Sequence, residues 1–429
     1  MQAKPAYRLR KYFPVVPTEE HHGVTTLELF FDLVFVFALT QITAIIAAHP
    51  TPTGFVEGLV ILALLWWGWV SYSWLGNQAK ADEGALRLGL VIAMGAMFVC
   101  ALSIPHAFKL PGEGFIEPWL FAIAYSVVRA MHIIVYRIAA EDDPGLRRQI
   151  FLIAVPVSVA CALLLIGAFA DPTWQVGLWL TALAIDYGGV WVAGADGWRV
   201  PSPRHFAERY GLIIIVALGE SIVAIGVGIG AYELTIPVVI AAMLSLGITV
   251  CLWWLYFDVI AIFAERLLAK LKGAERARIA RDSYSYLHFP MLVGIVVLAI
   301  GLKRTMAHIA DLEDPSRGPF GSLPAIAVIT LCLGPAIYLA AHLAFRYRNI
   351  RTINKPRLIA SILLIGVIPI CLMLPAIFAL TLVAVMLGSL VIFEVRHYAE
   401  ARYKIRHDIG HTATEPTPSD DNIGVGEIL

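Results

Sequence analysis

Apolar residues along this chain come in long blocks, not in the alternation of half-buried strands or the narrow stripe of a surface helix. Twelve blocks can be marked, at about 27–48, 54–76, 85–107, 115–138, 147–170, 174–194, 205–230, 234–262, 280–303, 322–347, 355–373 and 374–395. Each approaches the ~20 residues that carry a helix across the hydrocarbon core of a bilayer. Lipid offers backbone polar groups no partner, so each block is expected to be a helix that satisfies its own. The pattern predicts an all-α, polytopic membrane helical bundle of about twelve spans. The last two blocks meet at Leu374-Pro375, where the pattern marks the boundary least sharply.

Composition agrees with this. The 429 residues are 59% hydrophobic and 15% charged, against about 25% charged in soluble domains. A formal net charge of zero gives no general pull toward nucleic acid. Lys and Arg are nonetheless unevenly placed. The N-terminal tail, the loops after blocks 2, 4, 6, 8 and 10, and the C-terminal tail hold 26 of them; the alternate loops hold four, Lys109, Lys303, Arg304 and Arg317. By the positive-inside bias both termini are expected to be cytoplasmic. No cleavable leader is expected, and the first block serves as its own insertion signal. The basic stretch Arg266–Arg281 reports topology and has the charge to touch anionic lipid.

The two halves echo each other. Block 1 begins with Glu28 and block 7 with Glu208; Trp66-Trp67 in block 2 matches Trp253-Trp254 in block 8. Blocks 4 and 10 end in His132…Tyr136-Arg137 and His342…Arg346-Tyr347. Three matches in one order predict two parallel six-helix repeats, 27–194 and 195–396. A cytoplasmic tail, 1–26, precedes them, and a disordered one, 397–429, follows.

Charge inside these blocks is the candidate chemistry. A carboxylate at the centre of a span costs about 2.5–3.5 kcal/mol, so it must face a partner or a wet cavity. Glu28 and Asp32 lie four residues apart on one helix face, with Thr43 close to the same face. Glu208 and Arg209 sit at the start of block 7, with Glu220 about 18 Å farther along. Arg209 shares a face with Glu220 but is too distant to pair with it. Glu220 therefore needs a proton or a partner from another helix. Arg129 lies mid-span in block 4, in a stripe with Tyr125, His132 and Tyr136, and is a counter-charge for Glu220, Asp32 or Asp186. For each of these the plain alternative is a structural buried pair. Glu28, Asp32, His205, Glu208 and His288 are the polar residues expected at the cytoplasmic headgroup level.

Other features read as structure. The tryptophan pairs are packing or interface anchors before they are a cation cage. Gly226, Gly228 and Gly230 suit close helix packing better than an ion filter. Glu19-Glu20-His21-His22 suits a solvated tail better than a metal site. The five cysteines lie in apolar blocks without metal spacing and read as small buried hydrophobes. No nucleotide loop, HExxH, GxSxG or CxxC pattern occurs, so no cofactor or metal is expected and an enzyme is disfavoured.

Three stretches, LELFFDLVFVFALTQ from Leu27, HFAERYGLIIIVALGES from His205 and YLHFPMLVGIVVLAIG from Tyr286, resemble the bacterial low temperature requirement A (LtrA) family. The resemblance covers about Thr25–Arg396. The matching positions are Glu28, Phe31 and Asp32; Glu208, Arg209, Gly211, Gly219 and Glu220; and His288 and Pro290. It implies a multipass inner-membrane protein linked to growth in the cold, and it supplies no reaction. More distantly, the first helix looks like that of the lysosomal two-repeat potassium channels, with Phe30-Phe31-Asp32 where a Phe-Ser-Asp would stand.

The expected function is a transporter or channel for an ion or small solute. Its path would be lined by Glu28, Asp32, Thr43, Arg129, Asp186, Glu208, Arg209, Glu220 and His288. The alternatives are a non-transporting scaffold for cold adaptation and a membrane-embedded lipid-modifying enzyme. The expected partners are the lipid bilayer and an unidentified ion or solute, with no nucleic acid and with an oligomer allowed.

Overall fold

A computed structural model describes residues 18, 23–108, 117–399 and 403. The Glu19–His22 group, Lys109 and most of both tails lie outside the described residues. Among the described residues, eleven helices are long and apolar enough to cross a membrane. In chain order the helices begin with α1 (Thr26–Ala48), α2 (Pro52–Gln78), α3 (Gly84–Ser103), α4 (Glu117–Ala139), α5 (Pro144–Gly167) and α6 (Pro172–Ala193). They continue with α7 (Pro203–Ile229), α8 (Ile236–Phe257), α9 (Ile260–Lys270) and α10 (Gly273–Ile279). After a π-helical segment, Ala280–Tyr286, come α11 (His288–Ala310), α12 (Ala325–Ile350), α13 (Lys355–Gly366), α14 (Ile368–Cys371) and α15 (Ala376–His397).

The sequence marks many of these starts. Thr51-Pro52, Asp143-Pro144 and Asp171-Pro172 each place a capping oxygen before a proline at the first helical position. The side chain accepts an otherwise unpartnered amide, and the proline has no amide to lose. Thr25 and Glu28 form a reciprocal capping box at the head of α1.

Two compact units are distinguished. Unit 1 comprises Met1–Val216 and Leu268–Arg281; unit 2 comprises Ala217–Leu267 and Asp282–Leu429. In unit 1, α2 is the most enclosed helix, with Trp66 and Trp69 fully buried. In unit 2, α11 and α12 are the enclosed pair. They approach so closely that a Cβ on Gly334 would strike the backbone of Leu298. Close approach of this kind is how helices gain packing where lipid competes equally for apolar surface.

Three blocks differ from their sequence reading. Block 8 does not end near 262 but runs on as α9 to Lys270. Block 9 starts earlier, at Gly273, and winds through the π segment before α11. Block 11 is no single helix. It breaks after Gly366, and α14 restarts with Pro369 near its head. Proline cannot donate the amide an unbroken helix needs, and the residue before it avoids the helical region.

Candidate functional site

α1 and the first turns of α7 meet in unit 1. Glu28 is both the last member of its capping box and an ion-pair partner. Its Oε2 accepts from the Thr25 amide at 2.9 Å and the Thr25 hydroxyl at 3.0 Å. Its two oxygens each lie 3.1 Å from His205 Nε2, and Oε1 lies 3.8 Å from Arg209 Nε. One turn along α1, Asp32 accepts from Arg209 Nη1 at 2.8 Å and from the Trp69 indole at 2.7 Å. Glu28, Asp32, His205 and Arg209 are all 2% exposed or less.

The tautomer of His205 follows from its neighbours. Asn77 Nδ2 donates to the Ser202 carbonyl at 2.6 Å and lies 3.2 Å from His205 Nδ1. An amide nitrogen can only donate, so Nδ1 accepts, and the ring hydrogen sits on Nε2, directed at Glu28. In this arrangement the imidazole is neutral. Among the described residues, two carboxylates then share one guanidinium, and with both ionised the cluster carries one negative charge in excess. Aromatic rings close it off. Trp66 stacks on Trp69 at 5.1 Å, Tyr210 meets Trp69 edge-on at 5.1 Å, and Arg209 lies over the Trp69 ring at 5.3 Å. The chain makes room with Gly76, where a Cβ would run into Glu28 Oε1.

A second pair crosses the other side of α2. Arg129 on α4 meets Asp186 on α6 at 2.8 Å and also bonds the Ser71 hydroxyl. The Trp67 side chain bonds Asp186 and stacks on Tyr187 at 3.9 Å. One acid here meets one base, so the site is neutral as it stands.

Unit 2 holds polar chemistry that the sequence reading missed. Arg357 grips Glu394 with Nε at 2.7 Å and Nη2 at 2.6 Å, while Nη1 meets His342 Nδ1 at 2.6 Å. Arg357 had been counted only among loop charges, and Glu394 lay unremarked near the end of an apolar block. His288 sits between the π segment and α8: Nδ1 lies 3.1 Å from the Ser283 carbonyl, and the Tyr256 hydroxyl lies 2.8 Å from Nε2. A carbonyl only accepts, so Nδ1 carries the hydrogen and Tyr256 donates to Nε2.

The structure thus brings Glu28, Asp32 and Arg209 into one cluster with His205, and pairs Arg129 with Asp186. Thr43 is buried on α1, and its hydroxyl has no hydrogen-bond partner among the described residues. Glu208 is exposed, apart from its buried neighbour Arg209. Glu220 is buried and belongs, with His288, to unit 2. His205, Trp67 and Trp69 are site residues whose roles the sequence did not assign. Only Thr25-x-x-Glu28 carried a local signal, the capping-box spacing. Among the described residues no three His, Cys, Asp or Glu side chains are grouped so as to hold a metal ion.

The family described as "Bacterial low temperature requirement A protein (LtrA)" matches residues 23–392. The chain belongs to the LtrA family. A Rhizobium meliloti (strain 1021) protein, described as an uncharacterized protein, is similar to it. The two are 30% identical over 291 residues, 66% of this chain and 69% of the relative. No solved structure matches. The stretch shared with the LtrA family contains the Glu28 cluster, the Arg129–Asp186 pair and all of α1 to α14, so the resemblance read from three motifs holds across the bundle.

Proposed function

We propose that this LtrA-family protein is a proton-coupled transporter of the bacterial inner membrane, with both termini cytoplasmic. The observation that carries the reading is the charge of the α1–α7 cluster. Among the described residues, two carboxylates, one guanidinium and a neutral imidazole leave one negative charge in excess, away from water. An isolated buried charge costs several kcal/mol even after relaxation. The cluster is neutral when one of its two carboxylates takes up a proton. Loading and release of that proton would be the coupled step.

In this reading Glu208 draws cations at the mouth, Arg209 holds the two acids together, and Thr43 extends the polar face of α1. Arg129–Asp186 is a neutral brace. Glu220 and His288 serve the second unit. The halves are taken as a duplication: in each, a tyrosine bridges matching helices, Tyr72 to the Val128 carbonyl and Tyr338 to the Leu252 carbonyl.

The test is proton flux into proteoliposomes, followed with an internal pH dye under an imposed potential. Asp32→Asn keeps the side-chain shape and one of the two accepted hydrogen bonds, and makes the cluster neutral without a proton. It should fold normally and lose at least about tenfold in flux, equivalent to about 1.4 kcal/mol. Undiminished flux in Asp32→Asn removes the cluster from the mechanism.

One observation favours the non-transporting alternative, namely the complete pairing of Arg129 with Asp186 and of Arg357 with Glu394. A wild-type protein that folds and moves no protons would select it.

A further inference from the structure

At the end of α1 opposite the Glu28 cluster, unit 1 contains a cavity of about 320 Å³. Ile45, Ile61, Ile104 and Phe108 form apolar walls, and Glu57 and His49 are the ionisable side chains on its rim. It is distinct from the acidic face of α1. Ile42, Ile45 and His49 lie roughly 120° around the helix from Asp32 and Thr43, at 100° per residue. Glu57 is half-buried and forms no ion pair with any described residue. Glu28, Asp32, Asp186 and Glu394, by contrast, each have a basic partner.

We propose that this cavity binds a small organic ammonium compound, its nitrogen at Glu57 and its hydrocarbon body among the isoleucines. A single carboxylate in a partly apolar wall attracts one positive charge. A calcium-like ion is a poor match, since it takes six to eight oxygen ligands. A magnesium-like ion does not suit these isoleucine walls, since it keeps several waters. An alkylammonium needs neither, and the walls bury its chain at about 25 cal/mol per Å². Phe108 adds an aromatic face, which attracts ammonium groups. The volume holds roughly ten non-hydrogen atoms at about 30 Å³ each, the share of a water molecule in the liquid. The same ammonium chemistry is offered by free amines and by ethanolamine lipid headgroups; the cavity size favours the free amine.

The site does not rest on proton coupling, because it is tested by binding alone. The probe is n-hexylammonium, titrated calorimetrically into the full chain in nanodiscs of phosphatidylglycerol. Saturable one-to-one binding is expected. 1-Hexanol and hexanoate should bind at least about tenfold more weakly. Glu57→Gln should weaken hexylammonium by a similar factor, Glu57→Asp should retain it, and Ile61→Trp should abolish it by filling the cavity. Thermal melting of each variant establishes that it is folded. Nanodiscs containing phosphatidylethanolamine identify the source: competition there assigns the site to the lipid headgroup and overturns the free-amine assignment. The proposal is overturned by the absence of saturable binding, by equal binding of 1-hexanol, or by unchanged binding in Glu57→Gln.

Discussion

Trp69 donates its indole hydrogen to Asp32 at 2.7 Å, and Trp67, two positions earlier on α2, bonds Asp186 from the opposite side. Each aspartate also meets an arginine, Arg209 in one case and Arg129 in the other. One helix therefore supports two Asp–Arg–Trp arrangements on opposite faces. They differ in charge. The Asp186 site balances one acid with one base, whereas the Asp32 site shares its arginine with Glu28. In the proposed reading, that difference separates a brace from a proton-loading site.

Trp69→Phe keeps a ring in the aromatic wall and removes only the donor. A buried carboxylate deprived of a hydrogen bond loses about 1–3 kcal/mol. Melting in detergent should fall accordingly, and the loss should shrink when Trp69→Phe is combined with Asp32→Asn. Equal losses in both backgrounds would mean that the indole acts by packing alone.

Arg129→Met leaves Asp186 buried and unpaired, at an expected cost of about 3–5 kcal/mol. Adding Asp186→Leu removes the stranded charge and should restore most of the stability. The double variant is also expected to keep wild-type proton flux. Lost flux in a stable double variant would make this pair part of the path.

Gly76→Ala places a methyl group against Glu28 Oε1; the carboxylate is held by Thr25 through Oε2 and by His205, and has little freedom to retreat. Overpacking of this kind costs about 1–3 kcal/mol. Thermal melting measures it, and Glu28→Ala in the same chain should relieve it.

Acid should loosen the loop after α11. Asp314 accepts from the Ser316 hydroxyl at 2.7 Å and the Ser316 amide at 2.9 Å. These bonds, the hydroxyl foremost, hold its carboxyl below the ordinary 3.8. A group depressed on folding contributes stability that is fully present above 3.8 and lost as pH falls below it, through the folded value. Hydrogen exchange at Ser316 should therefore stay protected above about pH 4 and quicken below it. Asp314→Asn should flatten that pH step.

The spans were legible because apolar length is a local property, and lipid demands it of every helix that crosses. Partnership was not legible. Glu28 and His205 lie 177 residues apart, as do Asp32 and Arg209, and nothing near Asp32 in sequence names its counter-charge. Arg129 was left with three candidate acids, and only packing chose Asp186. Trp67 and Trp69 read as bulk, because an indole donor is silent until an acceptor faces it. The break in block 11 was different. Gly366 and Pro369 announced it, but the apolar composition around them hid the interruption.

The π segment Ala280–Tyr286 has a reach beyond its own turns. There the Leu287 amide bonds back to the Asp282 carbonyl, five residues behind it. A five-residue return winds more chain into each turn than an α-helix does, so the angular phase of everything downstream is reset. Gly294 and Gly301, which let α12 nestle against α11, lie downstream of that winding on the same helix path. Excising one residue between Ala280 and Tyr286 would turn both glycines about 100° away from their groove and unseat two helices from a distance.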